Sequence, residues 1–332
     1  MYECPLEWWA AHAGPYGELL KIKQKRPILQ KINASKNKIK IIPEEIAEEF
    51  ANYYELLHKK KDRDNDQIKL YLNNVSLPKM TCEQKAMLAK PITVSEVYEQ
   101  IQKLQTGTTP GDDGFTNEFY KKFKNQITPL LMTAYNYALK MGIWGQTWQS
   151  ALIPLIFKEG RDATKCSSYR PISLLNTDYK ITTGVIANRL KKCIVDITEA
   201  DQCGFITGRL LSDNIRRTIN AEKAFDLVRW PFLFETLDSI YCHPTSRVKT
   251  NGMLSRWFTI QRGIRQDDLQ LAFLFIMYID VLAAAIRQKK NISRVQIEGE
   301  VYKLALNADD IIIYFTQPEK SLPKLMETIV WF

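Results

Sequence analysis

The sequence contains few of the residues that build metal clusters or disulfide frameworks. Its six cysteines lie far apart with no C-x-x-C pair, and it has three histidines, His12, His58 and His243. Structural zinc sites and small disulfide scaffolds both depend on closely spaced cysteines, or on cysteines near histidines. We therefore expect neither kind of site, and this cysteine usage suits a reducing compartment.

Long apolar runs are also missing. The apolar stretch at residues 8–11 is short and is bounded by Glu7 and His12, so it matches neither a signal peptide nor a membrane span. The sequence has no internal repeat and no low-complexity segment, which excludes a solenoid. We expect a soluble intracellular protein, cytoplasmic or nuclear, with no membrane partner.

What the sequence does contain is a large apolar fraction and an excess of positive charge. Of 332 residues, 45% are hydrophobic and 11% are aromatic, which is enough for a real core. Lysine and arginine total 46 against 37 acidic residues, a formal net charge of +9 that suits a partner carrying phosphates. Residues 21–40 are rich in lysine and hold no acid, which fits either a nucleic-acid contact or a solvated helix.

Apolar periodicity and breaker residues predict helices that alternate with short strands. Helical patterns run over residues 43–57, 93–104, 119–139 and 179–197. Residues 151–157 form a short apolar run typical of a buried strand, and residues 302–315 predict a hairpin with Asp309 and Asp310 at or beside its turn. This order of elements favours an α+β layer fold.

Two adjacent carboxylates on a hairpin can present oxygen ligands to Mg²⁺. Asp-Asp is also ordinary turn chemistry, so Asp309 and Asp310 taken alone are more often a structural turn than a metal site. The motifs that precede them in the sequence favour the metal site over the structural turn.

Short motifs precede this aspartate pair in a fixed order. They are TPGDDGF at 109–115, YRPISLLN at 169–176, DQCGFI at 201–206, AEKAFD at 221–226 and RQ at 265–266, followed by ADD at 308–310. The ordered series resembles the reverse transcriptase of long interspersed element (LINE-type, non-LTR) retrotransposons, from about residue 42 to the end of the chain. The series is far more specific than any one of its motifs.

The resemblance implies an incomplete right-hand polymerase of the α+β class. Its parts would be a basic N-terminal helical region at 1–90, a fingers-like part at 91–217 and a reduced palm-like part at 218–332 that ends before the thumb. The partners it implies are an RNA template, a DNA primer and deoxynucleoside triphosphates. Asp309 and Asp310 match the paired palm aspartates that bind catalytic Mg²⁺ in this family.

Three further residues match positions that contact the incoming nucleotide in this family. Arg170 matches the fingers arginine that holds the triphosphate, Lys158 matches the nearby fingers lysine, and Phe225 matches the bulky residue that rejects ribonucleotides. Without the resemblance, the two cations would be interpreted as solvated surface charges and the phenylalanine as part of the core.

The chain departs from the family pattern at positions that catalysis depends on. The metal-binding aspartate that the family places directly before AEKAFD is Asn220 here, and an amide ligand supplies no negative charge. We expect the strand that should carry this aspartate to be deleted, which makes Glu222 a poor substitute. After the RQ motif, the family's GCPLSP is replaced by DDLQLA at 267–272, which we expect to bring negative charge beside the substrate phosphates.

These departures predict a reverse transcriptase-like domain of a LINE-type mobile element that is catalytically inactive. One alternative is a non-catalytic nucleic-acid-binding module that uses Lys158, Arg161 and Arg170. Another is an active polymerase that a second polypeptide completes. Only the active polymerase predicts Mg²⁺-dependent primer extension.

Overall fold

The computed structural model describes residues 29–33, 39–59, 70–206, 208–209, 219–220, 244–262, 265, 268, 270–297, 300–308 and 310–332. This part of the chain contains both helices and sheets, so the α+β class expected from the sequence is confirmed. Among the helices described there, none is both long and apolar enough to cross a membrane. Most of the lysine-rich segment 21–40 falls outside the described residues.

The main helices are α1 (Pro43–Leu57), α2 (Cys82–Ala89), α3 (Val94–Lys103), α4 (Asn117–Lys122), α5 (Lys124–Met141), α6 (Gln146–Gln149), α7 (Thr177–Lys191), α8 (Ile194–Ile197), α9 (Leu271–Gln288) and α10 (Pro318–Trp331). The strands are β1 (Ile32–Asn33), β2 (Ile39–Lys40), β3 (Ser150–Phe157), β4 (Tyr169–Pro171), β5 (Leu174–Leu175), β6 (Ile219–Asn220), β7 (Thr245–Thr250), β8 (Met253–Leu254), β9 (Phe258–Thr259), β10 (Val295–Ile297), β11 (Glu300–Tyr302), β12 (Leu304–Asn307) and β13 (Asp310–Ile313).

The chain forms two compact units, each assembled from segments that are discontinuous in sequence. The first comprises Met1–Lys59, Pro91–Val185 and Ser239–Leu269, and the second comprises Lys60–Lys90, Ile186–Asp238 and Gln270–Phe332. Because each unit joins residues far apart in the sequence, its fold depends on long-range contacts as well as on local helix formation.

Apolar residues at helical spacing form the core of the first unit. Val97 and Ile101 of α3 pack in one buried cluster with Tyr135 of α5 and with Ile181 and Val185 of α7. Each of these side chains is at most 1% exposed. The 3.6-residue period that predicted these helices therefore marks the faces that they bury.

Helix α3 begins where the sequence pattern predicts. The Thr93 hydroxyl accepts a hydrogen bond from the Glu96 backbone N–H at 3.3 Å, and the Glu96 carboxylate accepts one from the Thr93 N–H at 2.9 Å. This reciprocal capping box satisfies two donors that the first turn of a helix leaves without helical partners.

The main sheet of the first unit has the strand order β4-β3-β7-β8, with β5 also pairing with β3 and β9 with β7. Strand β3 confirms the strand predicted at 151–157. It runs parallel to β7, where Ile153 lies opposite Val248, and both residues are fully buried or nearly so. A strand buried in this way is an unbroken apolar run in the sequence.

The second unit contains a three-stranded sheet of order β12-β13-β6, the separate β10–β11 hairpin and the helices α2, α8, α9 and α10. Ile194, Ile206 and Ile276 form a buried cluster there. The hairpin predicted over residues 302–315 is confirmed as β12 and β13, with Leu304 opposite Ile313.

Two of the predicted helices are each divided in the structure. The pattern over 119–139 forms α4 and α5, which meet at Phe123, where φ is −101° and ψ is 19°. These angles lie in the bridge region, so the helical hydrogen-bond pattern is interrupted there. The pattern over 179–197 forms α7, which ends at Lys191, and the short α8.

One charge that we expected beside substrate phosphates lies in the interior instead. Asp268 is 4% exposed and accepts a hydrogen bond from the Tyr179 hydroxyl at 3.0 Å. The Arg265 guanidinium lies over the Tyr179 ring, 4.8 Å from its centroid. The expectation is wrong for Asp268 because a hydroxyl donor and a nearby cation offset the loss of water around this carboxylate. Burial, reinforced by Asp268, raises the pKa of Tyr179 above its ordinary value.

Replacing Tyr179 by phenylalanine removes one donor to the buried Asp268 carboxylate without changing the shape of the ring. We expect Tyr179→Phe to lower the free energy of unfolding by about 1–3 kcal/mol, measured by urea denaturation. Tyr137→Phe is the matched control, because Tyr137 is 59% exposed on α5. Equal stability of the two variants would show that the Tyr179–Asp268 contact contributes nothing.

Candidate active site

Asp310, the second residue of the Asp-Asp motif, lies beside the turn of the β12–β13 hairpin. Asn307 pairs with Asp310 across the hairpin, and the connection between them starts at Ala308. Ala308 has a φ of 55°, the left-handed conformation that tight hairpin turns use and that residues other than glycine rarely adopt. Asp310 begins β13 and is half-buried, whereas Asp309 lies outside the described residues.

A buried glutamine fixes the backbone at this turn. Gln202 is fully buried, and its Oε1 accepts hydrogen bonds from the backbone N–H groups of Ala308 at 3.1 Å and Gly204 at 2.9 Å. A Cβ atom on residue 204 would lie 2.2 Å from the Ala308 nitrogen, so the close approach requires glycine. The DQCGFI motif therefore supplies both a hydrogen-bond acceptor and the space for the turn.

The backbone of the same motif follows strand β12. The Cys203 N–H donates to the Leu306 carbonyl at 2.8 Å, and the Leu306 N–H donates to the Asp201 carbonyl at 2.8 Å. These bonds give the parallel bridge between Gln202 and Leu306. The turn is thus held by the Gln202 side chain and by two backbone hydrogen bonds between the DQCGFI motif and β12.

A half-buried arginine, Arg287, anchors the start of this motif to α9. Arg287 donates to both carboxylate oxygens of Asp201, at 2.9 and 2.5 Å, and to Asp280 at 3.1 Å. Burial raises the pKa of Asp280, and the Arg287 guanidinium beside it acts in the opposite direction. The Lys303 ammonium, just before β12, donates to the Arg287 carbonyl at 3.1 Å. Lys303, before β12, thus contacts the backbone of Arg287, and Leu306, near the other end of β12, contacts the backbone of Asp201. Arg287 and Asp201 form the ion pair just described.

Strand β6 carries Asn220 into register with Asp310. It pairs antiparallel with β13, with Asn220 opposite Asp310 and Ile219 opposite Ile311. The expectation that this strand is deleted is therefore wrong. Of this strand, the structure describes residues 219 and 220, and their pairing covers the backbone edge of β13 at that point. Position 220 is therefore the partner of Asp310 in the backbone register of this sheet.

The donor set at this register position does not fit a pair of magnesium ions. Mg²⁺ is held in proteins by carboxylates, together with waters and substrate phosphates, and position 220 offers a neutral amide. Within the described ranges, no three His, Cys, Asp or Glu side chains come together closely enough to hold a metal ion. Asp309 and Glu222 lie outside those ranges.

The two cations predicted to bind triphosphate belong to the first unit, with Arg170 on β4 and Lys158 directly after the end of β3. Arg170 is opposite Ile156 in the β3–β4 pair, and the backbone N–H of Lys158 donates to the Ser168 carbonyl at 2.8 Å. Because Lys158 follows Ile156 by two residues, this register puts both cations on the same face. Arg170 is exposed, and the half-buried Lys158 donates its ammonium to a loop carbonyl at 3.3 Å.

The structure brings together Lys158 and Arg170 within the first unit, and the hairpin with Asp310 belongs to the second. Phe225 lies outside the described residues.

The sequence patterns gave no individual role to Gln202 or Arg287. The glycine in DQCGFI was a signal for a close backbone approach, whereas no pattern singles out Arg287.

We expect Gln202→Leu to destabilise the second unit, because it removes the acceptor for two buried N–H groups. The free energy of unfolding should fall by about 2 kcal/mol or more, and hydrogen exchange at the Ala308 amide should accelerate. Gln296→Leu, at an exposed position of β10, is the control. Unchanged exchange at Ala308 would mean that the turn holds its conformation without Gln202.

Comparison with known proteins finds relatives encoded by mobile elements. The transposon TX1 uncharacterized 149 kDa protein of Xenopus laevis is 28% identical over 270 residues, which cover 71% of this chain and 20% of the relative. The RNA-directed DNA polymerase from mobile element jockey of Drosophila funebris is 26% identical over 264 residues, 69% of this chain and 28% of the relative. The protein of the same name in Drosophila melanogaster is 33% identical over 140 residues, which cover 41% of this chain and 15% of the relative. The chain spans less than a third of the length of each.

The family described as reverse transcriptase (RNA-dependent DNA polymerase) matches residues 156–332, more than half of the chain. This match includes Lys158, Arg170, the DQCGFI motif and the ADD hairpin, which are the elements described above. Together with the relatives from TX1 and jockey, it confirms the resemblance stated from the motifs. The chain belongs to the reverse transcriptase family, and it is of the LINE type.

Proposed function

We propose that this reverse transcriptase-like domain has lost most or all of its polymerase activity. The observation that carries the proposal is the register of β6 against β13, which sets Asn220 opposite Asp310. In the family pattern, that position holds a metal-binding aspartate. The domain therefore keeps the strand that delivers a ligand to the site but lacks the charge that the ligand should carry.

The missing charge bears directly on nucleotide transfer. Phosphoryl transfer depends on cations that neutralise the triphosphate and on carboxylates that hold those cations in place. An amide at position 220 coordinates weakly and leaves one negative charge fewer at the site. Removing one electrostatic contact of this kind from an active site typically costs about 10²–10³ in rate.

The remaining site residues keep the roles proposed for them from the motifs. Arg170 and Lys158 would bind the triphosphate, which the register of β4 against the end of β3 supports. Phe225 would discriminate against ribonucleotides, and Asp309 and Asp310 would be the residual metal ligands. Residues 91–217 would act as fingers and residues 218–332 as a reduced palm in a right-hand arrangement, after the N-terminal region 1–90.

The partners that we propose are an RNA template and a DNA primer, met in the cytoplasm or nucleus. A net charge of +9 supports binding to a phosphate backbone, and this attraction does not depend on the catalytic aspartates. Nucleic-acid binding without polymerisation is therefore the activity that the domain would retain.

Restoring the acid tests the proposal. In primer extension on an RNA template with Mg²⁺, we expect no extension by the wild-type protein above an Asp310→Asn variant. Asn220→Asp adds a carboxylate at the register position opposite Asp310, and we expect it to raise extension to about 10² times the level of the Asp310→Asn background.

Glu327→Gln is the matched control for the acid-to-amide change. Its carboxylate is exposed on α10 and pairs with Lys324 at 2.9 Å, so extension should not respond to it. Wild-type extension that Asp310→Asn abolishes would contradict the proposal and show that another group replaces the lost carboxylate. A well-folded Asn220→Asp variant with no gain would show that position 220 is not the decisive loss.

A further inference from the structure

Helix α5 presents an apolar stripe to solvent. The stripe consists of Leu130, Ala134, Tyr137 and Met141, and we call it the α5 stripe. Leu130, Tyr137 and Met141 are 70%, 59% and 51% exposed. Ala134 is half-buried, and Ile143, just past the end of the helix, is 61% exposed. Because the members follow one another at intervals of four, three and four residues, they lie on one face of the helix.

The side of α5 that is turned inward holds this face in place. Tyr135 and Ala138 are buried, and Tyr135 belongs to the core cluster of the first unit. The Tyr135 hydroxyl donates to the Asp178 carbonyl at 2.7 Å. Gly142 ends the helix with a φ of 68°, and its N–H donates to the Ala138 carbonyl at 2.8 Å. The stripe is therefore a preformed surface that a partner does not have to order.

Two polar side chains beside the stripe make their hydrogen bonds within the first unit. The Thr133 hydroxyl donates to the Pro129 carbonyl at 3.0 Å. The Asn136 amide donates to the Ile92 carbonyl at 2.8 Å and accepts from the Ile92 N–H at 2.7 Å. Covering this side of the helix would therefore leave neither side chain without a hydrogen-bond partner.

Single exposed apolar residues are common on protein surfaces and require no partner. Four of them on one line, at the intervals that packed helices use, form a more specific pattern. A phosphate-bearing ligand gains little from the stripe, because Lys140 is the one cation beside it and the other lysine of α5, Lys124, lies at the far end. An apolar helix is the partner that suits this face.

The stripe is complementary to itself. When two copies of α5 pack antiparallel about a two-fold axis between residues 135 and 136, Leu130 of one copy lies opposite Met141 of the other. Ala134 then lies opposite Tyr137, so a small side chain faces a large ring. Such a contact is isologous, because each residue meets its counterpart in both directions.

Charge favours the same orientation. In the antiparallel pair, position 140 lies opposite position 131, so the two Lys140 side chains are about 14 Å apart along the helix axes. This separation exceeds the screening length of about 8 Å at physiological ionic strength. A parallel pair would instead set the two lysines side by side, and α5 carries no acid that could offset their repulsion.

We infer that the protein self-associates through the α5 stripe as an antiparallel, two-fold symmetric dimer. With Ile143, the stripe offers about 500 Å² per copy, which is near the lower limit for a specific interface. The dimer should therefore be weak and reversible, with a dissociation constant on the order of 10–100 µM. This interaction goes beyond the proposed function, because it uses neither Asp310 nor position 220.

Sedimentation equilibrium of the whole chain, over concentrations from about 1 to 200 µM, measures the association. Leu130→Glu sets an acid opposite the apolar Met141 of the second copy, and we expect association to weaken at least about tenfold. Leu322→Glu makes the same change on α10 at a leucine that is 48% exposed, and association should not respond. Thermal melts establish that each variant is folded.

The orientation is tested with a pair of charges. Met141→Lys should also associate more weakly than the wild type. A mixture of Leu130→Glu and Met141→Lys should recover dimers, because the antiparallel register sets the acid opposite the lysine and leaves the second pair apolar. A mixture of Leu130→Glu and Leu130→Lys should not recover them, since position 130 would meet itself only in a parallel pair.

Other outcomes overturn the inference. The wild type would remain monomeric over the whole range if the stripe does not bind a second copy, and association unchanged in Leu130→Glu would place the contact elsewhere. Dimers lost in Leu322→Glu but not in Leu130→Glu would assign it to α10. Dimers that nuclease treatment removes would be copies bridged by nucleic acid. None of these results depends on primer extension, so failure of this inference and failure of the proposed function are distinguishable.

Discussion

The two hydrogen bonds accepted by the Gln202 amide oxygen are the contact on which the aspartate hairpin depends. They hold the N–H groups of Gly204 and Ala308 together in a fully buried position. Ala308 is in a left-handed conformation that an alanine adopts only when its surroundings impose it. The turn next to Asp310 is thus shaped by a residue more than a hundred positions earlier in the chain.

This contact is supported by a wider set of charges. Asp201, the neighbour of Gln202, is held by Arg287, which also meets Asp280 on the same helix. Arg287 is half-buried and Asp280 is buried, so removing the arginine would leave the Asp280 carboxylate without its compensating charge. The framework around the hairpin is therefore complete, although the position opposite Asp310 carries an amide.

Local signals in the sequence predicted much of this arrangement. The capping residues of α3, the apolar run of β3 and the ADD hairpin all follow from nearby residues, and the structure confirms them. The break at Phe123 was not predictable, because apolar spacing continues across it. The structure describes two residues of β6, which pair with β13, and no local pattern in the sequence marks so short a segment. The inward position of Asp268 likewise depends on Tyr179, which is distant in sequence.

The motif series identified the family, and the structure adds the physical reason for the proposed loss of activity. The register between β6 and β13 pairs position 220 with Asp310, and the proposed deficit is the carboxylate that an amide replaces at that position. That deficit is tested most directly by isothermal titration of Mn²⁺, as a substitute for Mg²⁺, into the wild-type protein and the Asn220→Asp variant. The account predicts weak binding by the wild type and clearly tighter binding by the variant. Equally tight binding by both proteins would contradict it, because the site would then hold its metal without an acid at position 220.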